Sequence, residues 1–222
     1  MRDVTSSLKL GVAERDRLRA GAAELGVTLD DVAVQRFAAY ADLLDRWRRT
    51  TNLVSCRNAE ELVDRHLVDA LACSWLCGEA PAIADLGSGA GLPGVPLTIV
   101  HPGRRTVLVE PRRRRASFLR DVKRELRLEH VEVLEIRAED AARLRVEPVD
   151  IVVCRAVWSD QEVLRVAAPW IRGRGLLLCL RSEQQRQPTG DPTVLGFEQS
   201  MTYRIANERR RRLDVYRRDA TS

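Results

Sequence analysis

The chain has 222 residues, of which 45% are hydrophobic and 31% are charged, and its net charge at pH 7 is +5. This length suits one α/β domain with an added segment and excludes two full enzyme domains. We find no apolar run of about 18 residues and no basic-then-apolar leader, which argues against a membrane span or a secretory signal. We therefore expect a cytoplasmic protein.

Arginine carries nearly all of the positive charge, because Lys9 and Lys123 are the only lysines. Its planar guanidinium makes bidentate contacts with phosphate and stacks on bases. The bias therefore favours a polyanionic partner such as RNA, although arginine-rich composition also arises from codon bias in a GC-rich genome.

The five cysteines form no Cys-x-x-Cys pair and no Cys/His cluster with zinc-binding spacing. An odd number of cysteines without a leader does not suggest a disulfide framework. We expect buried thiols and no metal at these positions, which are Cys56, Cys73, Cys77, Cys154 and Cys179.

The N-terminal part of the chain contains two helical patterns. Thr28-Leu29-Asp30-Asp31 resembles a capping box with Asp in place of Glu, and it precedes apolar residues that recur every three to four positions. These are Val34, Phe37, Tyr40 or Ala41, Leu44 and Trp47. A second helix is predicted after Asn58, with Glu61 three residues on, and Gly78-Glu79-Ala80-Pro81 ends it. We expect residues 1–78 to form a helical segment packed on the core.

From Pro81 onward, short apolar runs alternate with helical stretches, which is typical of a parallel sheet. The predicted strands are Ala82–Leu86, Thr106–Glu110, Val131–Ile136, Asp150–Cys154 and Gly175–Arg181. Helical elements are predicted after Gly94, over Arg112–Leu128, near Ala141 and around Gln161–Trp170. The tail predicts two more strands, Leu195–Ile205 and Arg212–Arg217, across a turn at Asn207-Glu208. We therefore expect residues 79–222 to form a Rossmann-like, seven-stranded α/β domain of the class I S-adenosylmethionine-dependent methyltransferase type.

The most informative motif is the glycine turn Asp85-Leu86-Gly87-Ser88-Gly89-Ala90-Gly91, where the first strand gives way to a helix. Open α/β sheets bind ligands at this point, and glycines let the backbone approach them. A competing pattern, G-x-G-x-x-G over residues 89–94, is typical of dinucleotide sites. We favour S-adenosylmethionine because the strand ends at Leu86 and because an acidic residue suits its sulfonium and ammonium better than a pyrophosphate. The expected cofactor contacts in this turn are Asp85, Gly87, Ser88, Gly89 and Gly91.

Two later positions are further candidates for the cofactor site. Glu110 closes the second strand, where an acidic side chain can accept hydrogen bonds from ribose hydroxyls, and Pro111 follows it. Ala138-Glu139-Asp140 follows the third strand, where a backbone amide and a carboxylate can frame the adenine. The alternatives are a solvated carboxylate at the strand end and an exposed loop.

With these elements in place, the sequence resembles the RsmG (GidB) family of bacterial 16S ribosomal RNA guanine-N7 methyltransferases over about residues 38–218. The most specific match is Asp85–Leu97, which is close to the family's D-V-G-S-G-x-G-L-P-G-I-P-L. Other matches are Trp47–Val54 to W-x-x-x-x-N-L-T, Arg65–Leu71 to R-H-I-x-D-S-L, Arg114–Leu119 to K-R-x-x-F-L and Cys154-Arg155-Ala156 to S-R-A. The resemblance implies S-adenosylmethionine as the cofactor and cofactor contacts at Gly87, Leu92, Ala138, Glu139 and Arg155.

Three stretches depart from the family pattern. Glu110-Pro111 stands where the family usually has Asp followed by Ser, and Arg181-Ser182 stands where it often has Lys-Gly. Val157-Trp158-Ser159-Asp160 stands where the family has a stretch with F-A-S. We expect these departures to bear more on the substrate than on the cofactor.

Guanine N7 bears no proton, so its methylation is an in-line displacement that needs positioning and no general base. We predict Arg155, at the carboxyl end of strand four, as a catalytic residue, and the alternative is a salt bridge that holds the loop. His66 is a second catalytic candidate, although a histidine on an apolar helix face is more often a packed core residue. Trp158 is a candidate for stacking on a flipped base, or else a core indole.

Arginine clusters are candidate phosphate contacts, although a charge run is usually a solvated face. The predicted RNA-binding arginines are Arg65, Arg112, Arg113, Arg114, Arg115, Arg181, Arg209, Arg210 and Arg211. Further tail candidates are Arg204, Arg212, Arg217 and Arg218.

Three functions remain open from the sequence. The first is methylation of 16S rRNA or the 30S subunit by a monomer that needs no membrane and no metal. The second is methylation of a small molecule or a protein, which predicts a closed and largely apolar acceptor pocket, whereas an RNA substrate predicts an open cleft flanked by arginines. The third is a homologue that binds the cofactor but has no activity.

Overall fold

The computed structural model describes residues 6–155, 160–184, 195–205 and 209–219. Within these ranges, seven strands form one sheet: β1 Ala82–Leu86, β2 Arg105–Val109, β3 Val131–Leu134, β4 Val149–Arg155, β5 Ile171–Ser182, β6 Leu195–Ile205 and β7 Arg209–Arg218. The strand order is β3-β2-β1-β4-β5-β7-β6, with β7 antiparallel to both of its neighbours and the other pairs parallel. This confirms the predicted Rossmann-like, seven-stranded sheet.

The strand bounds show which strand ends follow from the local sequence and which depend on pairing with a neighbouring strand. β1 and β6 have the predicted bounds, but β5 begins at Ile171 rather than Gly175. Val149 pairs with Ile171 before the register shifts, and a Cβ on Gly175 would lie 2.5 Å from the carbonyl oxygen of Asp150. Gly175 therefore lies at an irregularity inside β5 rather than at its start, because only glycine tolerates this close backbone approach.

The helices pack on both sides of the sheet. The N-terminal ones are α1 Val12–Glu24, α2 Asp31–Trp47, α3 Ala59–Leu62, a π-helical segment Val63–Val68, α4 Asp69–Leu71 and α5 Ser74–Cys77. The later ones are α6 Gly94–Val100, α7 Arg113–Glu125, a 3-10 turn Ala138–Asp140, α8 Ala141–Leu144, α9 Asp160–Ala167 and a 3-10 turn Ala168–Trp170. No helix among the described residues is long and apolar enough to cross a membrane.

Two details of the N-terminal helices differ from the sequence expectation. The N-cap of α2 is Asp30 rather than Thr28, because the Asp30 carboxylate accepts a hydrogen bond from the Ala33 amide at 2.7 Å. Asn58 caps the second helix as predicted, but a π-helical segment interrupts it at Val63–Val68. Because a π turn holds an extra residue, it changes which side chains face the sheet from there on.

The N-terminal helices share one buried apolar cluster with the layer formed by α6 and α7. Phe37 and Leu44 of α2 belong to the same cluster as Leu92, Phe118 and Leu119. The Trp47 indole nitrogen also donates a hydrogen bond to Asp121 at 3.2 Å. Helix α2 is thus packed against the helices that flank the glycine turn.

The carboxyl edge of the sheet gathers polar side chains from four strands. Ser182 of β5 pairs with Arg211 of β7, and Arg211 pairs with Tyr203 of β6. Arg155 ends the neighbouring strand β4. Parallel strands present their carboxyl ends at one edge, where ligands bind in this class of fold.

Candidate cofactor and acceptor site

The glycine turn joins β1 to α6. Gly87, Gly89 and Gly91 have φ angles of +69°, +57° and +85°, which lie in the left-handed region that favours glycine. Inside the turn, the Ser88 amide donates to the carbonyl of Val109 at 3.0 Å and the Ser88 hydroxyl donates to the carbonyl of Asp85 at 2.8 Å. The tight turn therefore starts at Gly87, as the methyltransferase pattern predicts.

The glycines of this segment differ in the space around them and in their exposure to a ligand. A Cβ on Gly91 would lie 2.5 Å from Val95, and a Cβ on Gly94 would lie 2.5 Å from Leu108. These two glycines are required for close packing against a helix or strand. Gly87 and Gly89 are partly exposed, whereas Ser88, Gly91 and Leu92 are buried. The backbone that a ligand can reach is accordingly that of Gly87 and Gly89.

The carboxylate of Asp85 lies beneath the turn and is 1% exposed. Its Oδ2 accepts a hydrogen bond from the Gly94 amide at 3.0 Å, while its Oδ1 is buried and has no partner among the described residues. Burial raises the pKa of Asp85 to about 7, against the opposing effect of the hydrogen bond from Gly94. A buried carboxylate oxygen without a donor fits a ligand that carries positive charge at this point.

Glu110 connects the glycine turn to the start of α7. Its Oε2 accepts a hydrogen bond from the Gly89 amide and its Oε1 accepts one from the Arg112 amide, both at 2.9 Å. Each carboxylate oxygen retains lone-pair capacity, so these bonds still allow contacts with ribose hydroxyls. Glu110 therefore holds the turn in place, and its predicted ribose contact stays a prediction.

An open cleft of about 620 Å³ lies beside the ends of β2 and β3. Its lining residues are Pro111, Arg112, Glu135, Ile136, Arg137, Asp140, Arg143 and Leu144. Glu110 directly precedes the lining residues Pro111 and Arg112, and Ala138-Glu139 lies between the lining residues Arg137 and Asp140. Glu110, Ala138 and Glu139 are predicted cofactor contacts. The cleft is thus open to solvent and is lined by three arginines.

Ala138 and Glu139 occupy the 3-10 turn after β3. Ala138 is buried, and its carbonyl accepts a hydrogen bond from the Trp170 indole at 2.9 Å. Glu139 is exposed. The Trp170 contact fixes this turn at the carboxyl edge of the sheet, and the predicted adenine contacts at both residues stay predictions.

Arg155 and His66, the two candidate catalytic residues, lie next to each other at the end of β4. The Arg155 Nη2 lies 3.4 Å from the His66 Nδ1, and its Nη1 lies 3.4 Å from the Asp69 Oδ2. Burial, together with the positive charge of Arg155, lowers the pKa of His66 to about 4. His66 is therefore neutral at pH 7, and its Nδ1 accepts from Arg155, since arginine can only donate.

Asp69 is a member of this site that the sequence analysis did not single out. Its carboxylate is 1% exposed and also accepts hydrogen bonds from the Tyr203 hydroxyl at 2.7 Å and from Arg211 at 2.9 and 3.0 Å. Arg211, a predicted RNA contact, is thus engaged by a buried carboxylate. The Asp in the R-H-I-x-D-S-L resemblance was the available signal for this residue.

Arg181 does not present its charge to RNA, which corrects the sequence expectation. The side chain is 5% exposed and its Nε lies 3.3 Å from Asp214, which is itself fully buried. Arg212 also pairs with Asp214, at 2.8 Å. A tail arginine on an inward-facing strand position is buried with its counter-ion, because an unpaired buried charge is costly.

The remaining arginine candidates lie on or near the surface. Arg112, Arg113 and Arg114 are exposed at the start of α7, and Arg115 donates a hydrogen bond to the carbonyl of Asn52 at 3.0 Å. Arg65 pairs with Glu61, and Arg210 pairs with Glu183 at 3.3 Å. Trp158, the side chain of Arg209 and the turn at residues 207–208 lie outside the described residues.

The thiols and metal-binding groups give no second site. Cys73, Cys77, Cys154 and Cys179 are buried as expected, whereas Cys56 is only half-buried. Among the described residues, no group of three or more His, Cys, Asp or Glu side chains is arranged to hold a metal ion.

Tyr40 of α2 links the N-terminal helices to the glycine turn, which the sequence analysis did not predict. Its hydroxyl donates a hydrogen bond to the carbonyl of Ala90 at 2.5 Å, and both residues are buried. Burial raises the pKa of Tyr40 well above its ordinary value, so the hydroxyl keeps its proton. The N-terminal helices therefore help to fix the geometry of the turn.

Comparison with known proteins identifies the family of this chain. The family model for rRNA small subunit methyltransferase G, GidB, matches residues 33–212. The chain belongs to the GidB family. Ribosomal RNA small subunit methyltransferase G of Alkaliphilus metalliredigens is 33% identical over 81% of this chain and 78% of its own length. The protein of the same name from Pseudomonas aeruginosa is 38% identical over 72% of each chain.

Solved structures agree on the fold of this GidB family member. Escherichia coli yhhF, which is named provisionally as a methyltransferase, has a TM-score of 0.51 at 15% identity and covers 67% of this chain and 82% of its own. TrmN from Thermus thermophilus has a TM-score of 0.52 at 15% identity and covers 68% of this chain and 48% of its own. The protein is a class I methyltransferase that uses S-adenosylmethionine, and the unpartnered Asp85 oxygen fits that cationic cofactor.

Proposed function

We propose that this protein transfers a methyl group from S-adenosylmethionine to N7 of a guanine in 16S rRNA. Membership of the GidB family supports an rRNA substrate. The observation that carries the proposal is the position of Arg155, whose partly exposed guanidinium ends β4 at the ligand-binding edge of the sheet. Acceptor-binding residues are expected at this edge in open α/β folds.

The cofactor supplies an electrophilic methyl group on a sulfonium centre when it is bound. We assign its binding to the accessible backbone of Gly87 and Gly89, with Leu92, Ala138 and Glu139 as implied by the family resemblance. The buried Asp85 carboxylate offsets positive charge at the turn. Glu110 holds the Gly89 amide in place, so the turn is formed before the ligand arrives.

Arg155 has a specific part in this reaction because of the chemistry of guanine. N7 uses its lone pair as the nucleophile, so a donor placed on N7 itself would block attack. We assign the Arg155 guanidinium to the neighbouring O6 or to a phosphate, where it holds the base with N7 in line with the methyl group. His66, with a pKa of about 4, is neutral and is not required as a general base, since N7 carries no proton.

The RNA is assigned to the exposed arginines at the start of α7, beside the open cleft. Arg112 lines the cleft, and Arg113 and Arg114 are its exposed neighbours. Such contacts bind phosphate without reading sequence, so we assign base selection to the acceptor site. The proposal includes a monomer that acts in the cytoplasm on 16S rRNA or the 30S subunit.

Site-mapped methylation tests this proposal directly. The protein is incubated with labelled S-adenosylmethionine and either 30S subunits or naked 16S rRNA from a strain that lacks the corresponding methyltransferase. We expect label on N7 of one guanine. We expect no label with Gly87→Val, because a residue with a branched side chain cannot adopt the left-handed backbone conformation of Gly87. Cofactor binding without incorporation into either RNA would favour a binding protein without activity, and label on another atom would refute the N7 assignment.

A further inference from the structure

We propose that Asp69 is a positioning residue that holds the Arg155 guanidinium toward the methyl acceptor. This inference rests on the proposed function, because it assigns Arg155 to the acceptor. Asp69 begins α4, directly after the π-helical segment, and its carboxylate is buried beneath the carboxyl edge of the sheet. It contacts side chains from β4, β6 and β7 at once.

The contacts on Asp69 are unequal, and the difference indicates its role. Arg211 binds it in bidentate fashion, with Nε donating to Oδ1 at 3.0 Å and Nη2 donating to Oδ2 at 2.9 Å. The Tyr203 hydroxyl donates to Oδ1 at 2.7 Å. These bonds fix the orientation of the carboxylate without a contribution from Arg155, since bidentate arginine–carboxylate pairs have a defined geometry.

Arg155 makes the longest of these contacts, at 3.4 Å, and its charge is not needed to neutralise Asp69. The carboxylate already has Arg211 as its counter-ion, so the group of two guanidiniums and one carboxylate has one positive charge in excess. Both guanidiniums are partly exposed, at 18% for Arg155 and 23% for Arg211, whereas the Asp69 side chain is 1% exposed. We assign the excess charge to Arg155 because Arg211 makes the shorter, bidentate pair with Asp69.

Two fixed acceptors restrain Arg155 on one side of its guanidinium. Asp69 Oδ2 accepts from Nη1 and His66 Nδ1 accepts from Nη2, each at 3.4 Å. A free arginine side chain loses about 2 kcal/mol of rotamer entropy when it is ordered, so restraint in the free protein lowers the cost of using it later. The N–H groups that these contacts leave unused remain for the substrate.

A stabilising role for Asp69 is the competing explanation, because the same carboxylate joins α4 to β6 and β7. The structure offers a matched control in Asp214, a second buried carboxylate at the same edge. Asp214 pairs with Arg181 and Arg212 and accepts a hydrogen bond from Ser200 at 2.7 Å. Asp214 makes no hydrogen bond or ion pair with Arg155 among the described residues, so its loss removes a buried carboxylate without removing a contact to Arg155.

The test is a double-mutant cycle on kcat for RNA methylation with the full-length protein. Asp69→Asn should lower kcat at least about tenfold in the wild-type background and less than about twofold in an Arg155→Lys background. Asp214→Asn should have the same proportional effect in both backgrounds. Equal proportional losses for Asp69→Asn in the two backgrounds would overturn the inference.

A second variant covers the case in which Asp69→Asn fails to fold. Tyr203→Phe removes one hydrogen bond to Asp69 and keeps both arginine pairs. We expect it to lower kcat about twofold to fivefold in the wild-type background, with no further loss in Arg155→Lys. A Tyr203→Phe effect that persists in Arg155→Lys would contradict the inference in the same way.

The pKa of His66, measured by NMR titration, gives a readout that needs no enzymatic activity. Arg155 and Arg65 lower this pKa and Asp69 raises it. If Arg155 leaves His66 when Asp69 is lost, the pKa rises from about 4 toward the ordinary histidine value; if Arg155 stays, loss of the Asp69 charge lowers it. A fall in Asp69→Asn, or an unchanged pKa in Tyr203→Phe where only that variant folds, would refute the inference. Inactivity of the wild type toward every RNA would refute only the proposed function.

Discussion

The buried carboxylate of Asp85 should make cofactor affinity depend on pH. Burial raises its pKa from 3.8 to about 7 in the free protein. A cationic ligand beside Oδ1 favours the ionised carboxylate, so binding below pH 7 must release a proton. We expect the association constant for S-adenosylmethionine to rise with pH up to about 7 and then to level off.

The magnitude follows from the size of the shift. A rise from 3.8 to about 7 is roughly three pKa units, or about 4 kcal/mol in favour of the protonated form. Because the folded-state pKa is raised, this stabilisation is fully present below about pH 4 and is lost as the pH rises toward about 7. Asp85→Asn should therefore make the cofactor-free protein more stable at about pH 8, by up to about 4 kcal/mol, while it weakens cofactor binding.

Calorimetry in buffers of different ionisation enthalpy measures both the affinity and the proton release. The rise in affinity is measured from about pH 5.5 to 7, where the ligand's own α-amino group, with a pKa near 8, stays mostly protonated. Asp150→Asn is the matched control, because its carboxylate accepts a hydrogen bond from the Ala82 amide at 2.9 Å, at the opposite edge of the sheet. The reasoning fails if affinity is independent of pH in the wild type, or if Asp85→Asn keeps the wild-type pH profile.

Three further predictions concern the turn and the RNA surface. Gly94→Ala should destabilise the protein by about 1–3 kcal/mol in denaturant unfolding, because the new Cβ would lie 2.5 Å from Leu108; an unchanged midpoint would contradict this. Tyr40→Phe should weaken cofactor binding measured by calorimetry several-fold, because the turn loses a buried hydrogen bond; equal affinity would remove this residue from the support of the site. Arg113→Gln with Arg114→Gln should lower the slope of log affinity for RNA against log salt by about 0.7 per lost contact, and Arg124→Gln, near the other end of the same helix, should not.

The sequence by itself determined the number of strands, the bounds of β1 and β6 and the place of the glycine turn. Apolar runs such as Ala82–Leu86 are local signals, because a strand buried on both faces of a parallel sheet needs apolar residues on each side. The turn is local as well, since left-handed backbone at Gly87 and Gly89 favours glycine. The L-P-G-x-P extension after the glycines then pointed to one family.

Tertiary structure alone decided which polar side chains meet and which arginines are free. Asp69 meets Tyr203 and Arg211 across 134 and 142 positions of the chain, a pairing that no local pattern contains. Arg181 is buried against Asp214 while Arg210 is exposed, although the sequence analysis predicted both as RNA-binding arginines. The physical reason is that burial and charge pairing depend on which strands are neighbours, whereas helix caps, turns and strand runs depend on residues close in sequence.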